Sequence, residues 1–445
     1  MTTRWLIATS LILAAATGSQ AQSLDRARLD QFFDRLAEKG KAMGTLVITR
    51  DGNVLYSRSI GYSRIDGSDR KPLTAASRFR IGSITKMYTA VMIMQLVEEG
   101  TLTLTDHLDR FFPRIANAGR ITIAQILSHR SGIHDAILDP ALRPGSNRDL
   151  VSHEELLAVI ARGTPDFEPD TQHRYSNSGY FLLGLIVERL TGQSYAEALE
   201  QRITSRIGLH DTYTATGAID VSKNESLTYF RLANEWRHGP ETHPSILFGG
   251  GQIISTPVDM ARFIQALFDL KLVSRESLDQ MKTMRDRDGF GMESFTFAER
   301  TFYGHTGGGD NYGAWLAYQP EERVTIAYTT NAKVFPVADI VRGVADLYYN
   351  RPFQIPAMES VDVAPDILDR YVGVYSSPDA AVKFTIAREG GTLYFQPGRQ
   401  SAVPLEATAQ DRFQIEGAVV LEFDAAKNQM TLKRGGIQRV FTKER

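Results

Sequence analysis

The chain has 445 residues, 42% of them hydrophobic and 23% charged, a globular balance with length for one large domain or two to three smaller ones. Its formal net charge of −2, with no block of like charge, offers none of the basic footprint of a nucleic-acid binder. It holds no cysteine, which excludes thiolate metal sites, disulfides and a cysteine nucleophile, and His129 and His134 lack the HExxH spacing of a zinc site.

Arg4 is followed by the apolar run "WLIATSLILAAA" and by Ser19-Gln20-Ala21. A basic start, about a dozen apolar residues and small residues at −3 and −1 read as a secretory signal, residues 1–21, cleaved after Ala21. The alternative, an uncleaved anchor, needs about 20 apolar residues. No cysteine follows the run to carry a lipid. The mature protein is therefore expected to be soluble, secreted or periplasmic, with no stable membrane insertion.

"SLDRARLDQFFDRLAEKG" has helical spacing and stops at Gly40. "TLVITR" and "NVLYSRSIG" flank Asp51-Gly52, a two-residue hairpin signal. Helices are expected to dominate from about residue 84 to 205, with capping boxes at Ser152/Glu155 and Ser194/Glu197 and glycines 163 and 192 just past helix ends. Thr256-Pro257 opens another helix. Strands return as "TFYGHTG", "YGAWLAYQ" and "RVTIAYTTN", and a helix near 336–349 closes the unit.

This order predicts an α+β fold over residues 22–350. One antiparallel sheet is built from both ends and flanked by helices, with a helical insertion at about 100–245. Residues 351–361 read as a linker. The segment 362–445 carries seven short strand signals, from "YVGVYSS" to "IQRVFTK", and reads as a small all-β barrel or sandwich.

Chemistry concentrates at "RIGSITKMYTA", where Ser83 and Lys86 stand three residues apart at the start of an apolar helix. S-x-x-K recurs easily by chance, and Ser68/Lys71 is a second copy, in a hydrophilic stretch that reads as a solvated loop. Ser83 instead leads into "MYTAVMIMQLVEEG", apolar nearly all round and so expected to be buried. There its N–H points free at the positive end of the helix, and a desolvated Lys86 loses pKa, as a proton acceptor must. The competing reading makes Ser83 a plain N-cap.

Two further stretches bear on that choice. Tyr175-Ser176-Asn177 precedes the apolar helix of "GYFLLGLIVERL", and His305-Thr306-Gly307 ends a strand before more glycines. Tyr348-Tyr349-Asn350 also fits Y-x-N but reads better as the last turn of a helix. In order, the three motifs resemble the active site of the penicillin-recognising serine hydrolases: class C β-lactamases, DD-peptidases, D-aminopeptidases and related esterases. "LSHRSGI" and "GGGQIISTPVDMARF" are similar to stretches of the same family. The resemblance spans about residues 25–350, and the tail resembles the lipocalin-like domain that many of these proteins carry. No G-x-S-x-G elbow competes.

The resemblance implies a serine hydrolase of the β-lactamase and penicillin-binding type, acting by acyl transfer on a small-molecule or peptide substrate. It needs no metal or other cofactor, and its oligomeric state is left open. Ser83 would attack, and Lys86 and Tyr175 would share the proton relay. Asn177 would hold Lys86 and bind the substrate amide. The N–H groups of Ser83 and Gly308 would form the oxyanion hole, beside Gly307. The third motif usually begins with lysine, whose charge holds a substrate carboxylate. Here it is His305, largely neutral at pH 7, as in the D-aminopeptidase and esterase branches. The resemblance thus implies peptide, amide or ester hydrolysis more than penicillinase activity. A true β-lactamase or DD-carboxypeptidase and a binding or scaffold protein without turnover remain alternatives. So does a lipid or peptide binder working through the β domain.

Overall fold

The computed structural model describes residues 24–444 apart from 140–148, 233–234, 359–360, 379, 381, 399–401, 416–418 and 435–436, so the expected signal segment lies outside the described residues. The first helix, Arg26–Glu38, is capped by Asp25, whose carboxylate accepts the Arg28 N–H at 3.0 Å. Its Leu29, Phe32, Phe33 and Leu36 recur every three to four residues and are all buried. With Ile340, Val341 and Val344 of helix Val337–Tyr348 they pack on one face of a six-stranded antiparallel sheet.

That sheet runs Glu293–Phe297, Arg300–Gly308, Gly313–Gln319, Val324–Lys333, Ala42–Arg50, Asn53–Ile60. The two ends of the unit meet at its centre, with Leu46 opposite Tyr328. Asp51 and Gly52 turn the first hairpin at φ +51° and +76°, the left-handed pair that a two-residue loop requires. On the other face lie helices Thr85–Glu98 and Pro257–Phe268, in one core with Ala314, Leu316, Tyr318 and Ala327, and helix Asn177–Thr191 packs against the first of them. Strand Val324–Lys333 is buried along nearly its whole length because both faces are covered. Helix Thr85–Glu98 is buried all round from Thr85 to Leu96, as its composition predicts.

Both capping boxes form, and Gly192 ends its helix at φ +67°. The middle also contains strands too short for periodicity to reveal. Ser68 lies in the exposed turn between strands Tyr62–Asp66 and Asp69–Pro72, so the stretch expected as loop is a solvated hairpin. Three two- and three-residue strands, Phe79–Arg80, Ile253–Ser255 and Tyr213–Thr214, pair with one another. Through them the residues before Ser83 lie alongside those after Gly250, a juxtaposition on which the site depends.

The tail forms a nine-stranded antiparallel sheet with its own core. Its two end strands, Val403–Pro404 and Glu406–Ala409, are separated in sequence by Leu405 alone, so the sheet is a nearly closed barrel. Tyr371, Tyr375, Phe395, Phe413, Phe423 and Phe441 fill its interior, with Tyr371 stacked on Phe423 at 4.6 Å. Lys41, buried at the sheet of the first unit, pairs with Glu406 of the barrel. No described helix is long and apolar enough to cross a membrane.

Candidate active site

Ser83 occupies a single 3-10 turn, Gly82–Ile84, directly ahead of helix Thr85–Glu98. It is not an N-cap: Ile84 holds that position, and no side chain caps the helix. The serine hydroxyl is engaged by Lys86, whose Nζ lies 3.0 Å from Ser83 Oγ. The same Nζ donates to Asn177 Oδ1 at 2.8 Å and to the Gly250 carbonyl at 2.8 Å. Lys86 is completely buried, with its ammonium 4.8 Å from the centre of the Tyr175 ring and 5.5 Å from that of Tyr180.

Burial pulls the Lys86 pKa down from 10.5 to about 7, against the opposing charges of Asp135, Glu293 and Asp288. Asn177 Oδ1 and the Gly250 carbonyl can only accept, so they take two of the Nζ hydrogens; the third position faces Ser83 Oγ, to which an ammonium donates a hydrogen and a neutral amine turns its lone pair. Tyr175 is the other group at the serine. Burial pushes its phenol well above the usual value, and a hydrogen bond with Ser83 opposes that.

Asn177 opens helix Asn177–Thr191 behind the Ser176 cap. Its orientation is fixed from the far side: Nδ2 donates to Asp135 Oδ2 at 2.8 Å, so Oδ1 must face the lysine. Asp135 also accepts the Ser178 N–H at 3.0 Å. Sequence reasoning missed Asp135, although it stands two residues past the end of the "LSHRSGI" stretch; only the fold shows which amide it holds.

Strand Arg300–Gly308 closes the other side. A Cβ on Gly82 would stand 2.5 Å from the Gly308 nitrogen, and one on Gly307 would stand 1.9 Å from the Ile81 carbonyl oxygen. Only glycines allow the strand end to lie this close to the serine turn, and the contact brings the Gly307–Gly308 backbone against the turn that carries Ser83. His305 is buried, and its Nδ1 lies against the Thr306 carbonyl and 3.8 Å from Glu293 Oε2. Both neighbours accept, so Nδ1 carries a hydrogen. Glu293 is fixed by the Thr306 N–H at 2.8 Å and hydroxyl at 3.0 Å. Although burial pushes it up, the His305 charge and the Thr306 bonds hold its carboxyl below the usual range.

A cavity of about 490 Å³, lined among others by Arg80, His238, Glu241 and His243, lies apart from this centre: none of Ser83, Lys86 or Tyr175 lines it. Among the described residues no group of three His, Asp or Glu side chains is placed to hold a metal.

A beta-lactamase family model matches residues 29–350. The chain belongs to the beta-lactamase family. It is a serine hydrolase of the β-lactamase and penicillin-binding type, with all three expected motifs gathered around Ser83. It is 26% identical over 443 residues to penicillin-binding protein 4* of Bacillus subtilis (strain 168), covering 92% of this chain and 97% of that protein. It is 24% identical over 365 residues to the D-alanyl-D-alanine-carboxypeptidase/endopeptidase AmpH of Escherichia coli (strain K12), covering 74% and 91%. Among solved structures, the D-amino acid amidase of Ochrobactrum anthropi SV3 superimposes with a TM-score of 0.61 at 23% identity, over 73% of this chain and 99% of that one. That likeness is one of fold. Of the motifs in the family pattern, the second S-x-x-K at Ser68 and the Y-x-N at Tyr348 lie elsewhere, the latter in the last turn of helix Val337–Tyr348.

Proposed function

We propose that the protein is an exported hydrolase that cleaves peptides, amides or esters through an acyl-enzyme on Ser83. The observation that carries this reading is the buried Lys86, bonded to Ser83 and to two groups that can only accept. In the resting state neutral Lys86 takes the Ser83 proton as Oγ attacks the carbonyl carbon. Tyr175, a phenol in that state, passes its proton to the leaving group and recovers one from the Lys86 ammonium, which returns to the neutral amine. The Ser83 and Gly308 N–H groups receive the developing oxyanion, each donor worth about 3 kcal/mol in the transition state. Asn177 keeps Lys86 in place and offers its amide to the substrate. Water then takes the place of the leaving group, and the same lysine draws its proton.

The substrate preference follows from charge. Glu293 and Asp288 stand near the site, and the third motif begins with His305 in place of a lysine and its permanent positive charge. A substrate that carries a neutral or amine-bearing group there is favoured over one that carries a carboxylate, which supports a reading closer to D-aminopeptidases, amidases and esterases. A carboxypeptidase is the second reading, favoured by the named activity of the Escherichia coli relative. Export is supported by the composition of residues 1–21, and a division into a hydrolase unit at 22–350 and a β domain at 362–445 by the separate core of the barrel.

A fluorophosphonate tests the core of this reading. It is expected to label Ser83, with labelling and turnover lost in Ser83→Ala and kept in Ser68→Ala. Persistent turnover in a contamination-free Ser83→Ala preparation would refute it. A panel of D-amino-acid amides, short acyl esters, a cephalosporin and a D-Ala-D-Ala peptide then separates the two substrate readings.

A further inference from the structure

His129, in the "LSHRSGI" stretch, has no part in the chemistry above, yet it is built into the site. It is a non-glycine residue at φ +56°, a conformation that costs energy unless the surroundings impose it. Its backbone carbonyl accepts the Arg174 N–H at 3.0 Å, one residue before Tyr175. Its ring lies 4.3 Å from that of Tyr175 at an angle of 29°, and 5.1 Å from that of Tyr180. Nδ1 accepts the Ser176 N–H at 3.1 Å. A backbone N–H only donates, so Nδ1 is bare and the imidazole is neutral, with its hydrogen on Nε2.

The surroundings of this ring favour that neutral state. Burial opposes an imidazolium first of all, and any positive charge on Lys86, His305 or His173 repels one. Tyr175 and Tyr180 are phenols held uncharged by burial. The nearby carboxylate, Asp288, is taken by His173 Nε2 at 2.6 Å. His129 is thus a flat, uncharged plate against the back of the tyrosine whose hydroxyl reaches Ser83.

We propose that His129 is a positioning residue for the proton relay: pinned by the Ser176 N–H, its neutral ring seats the Tyr175 ring so that the phenol meets Ser83. This rests on the reading that Tyr175 belongs to the relay. Losing the seat slows acylation without weakening substrate binding, and the loss passes through Tyr175 alone.

A double-mutant cycle on the full chain reads this directly, with fluorophosphonate labelling rates and with kcat and KM for a neutral ester. His129→Asn suits the test, since asparagine tolerates positive φ and its oxygen replaces Nδ1 as acceptor while the ring is lost. It is expected to slow labelling about tenfold or more, with the loss in kcat and not in KM. In a Tyr175→Phe background the same substitution should change the rate less than about threefold. The acid limb of the pH profile should stay where it is, because the histidine it removes carries no charge. Equal losses in both backgrounds, or a loss confined to KM, would overturn the proposal. His129→Phe keeps a ring and loses the acceptor; read in the same two backgrounds, it decides the matter if His129→Asn does not fold. Tyr175→Phe alone labelling at the wild-type rate would refute the relay assignment itself, and this proposal with it, through a different measurement.

Discussion

The state of Lys86 can be tested without any substrate. Burial takes its pKa from 10.5 to about 7 in the folded protein, whereas the unfolded chain keeps the ordinary lysine value. Between those values the unfolded state holds a proton that the folded state has released, so stability rises with pH across the window. Below about pH 7 the burial cost is fully present, and above about 10.5 it vanishes. The slope approaches about 1.4 kcal/mol per pH unit, and from pH 7 to 9 the gain amounts to about 2 kcal/mol. Lys86→Met keeps the apolar stem and abolishes the titration. It also strips Asn177 Oδ1 and the Gly250 carbonyl of their donor, but that cost does not vary with pH and enters only as an offset. Urea unfolding of both proteins at pH 7, 8 and 9 supplies the comparison. Trp236 and Trp315 lie in the hydrolase unit and the β domain has no tryptophan, so indole fluorescence follows the relevant core. The stability difference, wild type minus variant, is expected to grow by about 2 kcal/mol over that range. Parallel curves would mean that the lysine stays charged at neutral pH, and the resting base would have to be sought elsewhere.

Tyr175→Phe is expected to lower the acylation rate about 10²-fold or more, while Tyr348→Phe, in a helix end on the opposite face of the sheet, leaves it unchanged; stopped-flow acylation that treats the two alike would misplace the second motif. His305→Lys should raise kcat/KM for a carboxylate-bearing substrate relative to its neutral amide by about tenfold or more, the worth of one charge-assisted hydrogen bond. An unchanged ratio, measured on one scaffold with and without the carboxylate, would show that the third motif does not read that charge. Glu406→Ala leaves the buried Lys41 ammonium without its carboxylate and should destabilise the first unit by about 3 to 5 kcal/mol, read as a lower urea midpoint by tryptophan fluorescence. A midpoint that does not move would make that pair dispensable.

The parts readable in the sequence are those whose signals are local. Asp51-Gly52 fixes its own turn, Ser152 and Ser194 cap their own helices, and the unbroken apolar run after Ser83 can only be a buried helix. The three motifs could be found for the same reason, since each lies at the end of an element that periodicity reveals. What escaped is set by distant pairing. Phe79–Arg80 and Tyr213–Thr214 are two residues long and become strands only because Ile253–Ser255 lies between them. Strand Glu293–Phe297 is short and begins with a carboxylate, so it reads as loop until its register with Thr301 to Gly304 is seen. Gly250, a direct partner of Lys86, carries no side chain to betray its role, and Asp135 acts through an amide 42 residues on.

The same distant groups explain how a lysine can be buried here and still give up its proton. A carboxylate in contact with Nζ would form an ion pair and hold the proton on the amine. The contacts are neutral instead: a hydroxyl, an amide oxygen and a peptide carbonyl. Three carboxylates do act on Lys86, but each is tied to a neighbour of its own, Asp135 to Asn177 and Ser178, Glu293 to Thr306, and Asp288 to His173. Anchored in this way they cannot collapse onto the ammonium, and they act on it only through space, offsetting part of the desolvation. Burial alone would drive the lysine so low that it made a weak base. Contact with a carboxylate would raise it so high that it made none at neutral pH. The value of about 7 lies between these limits, and the hydrogen bonds that hold three acids away from one amine are what keep it there.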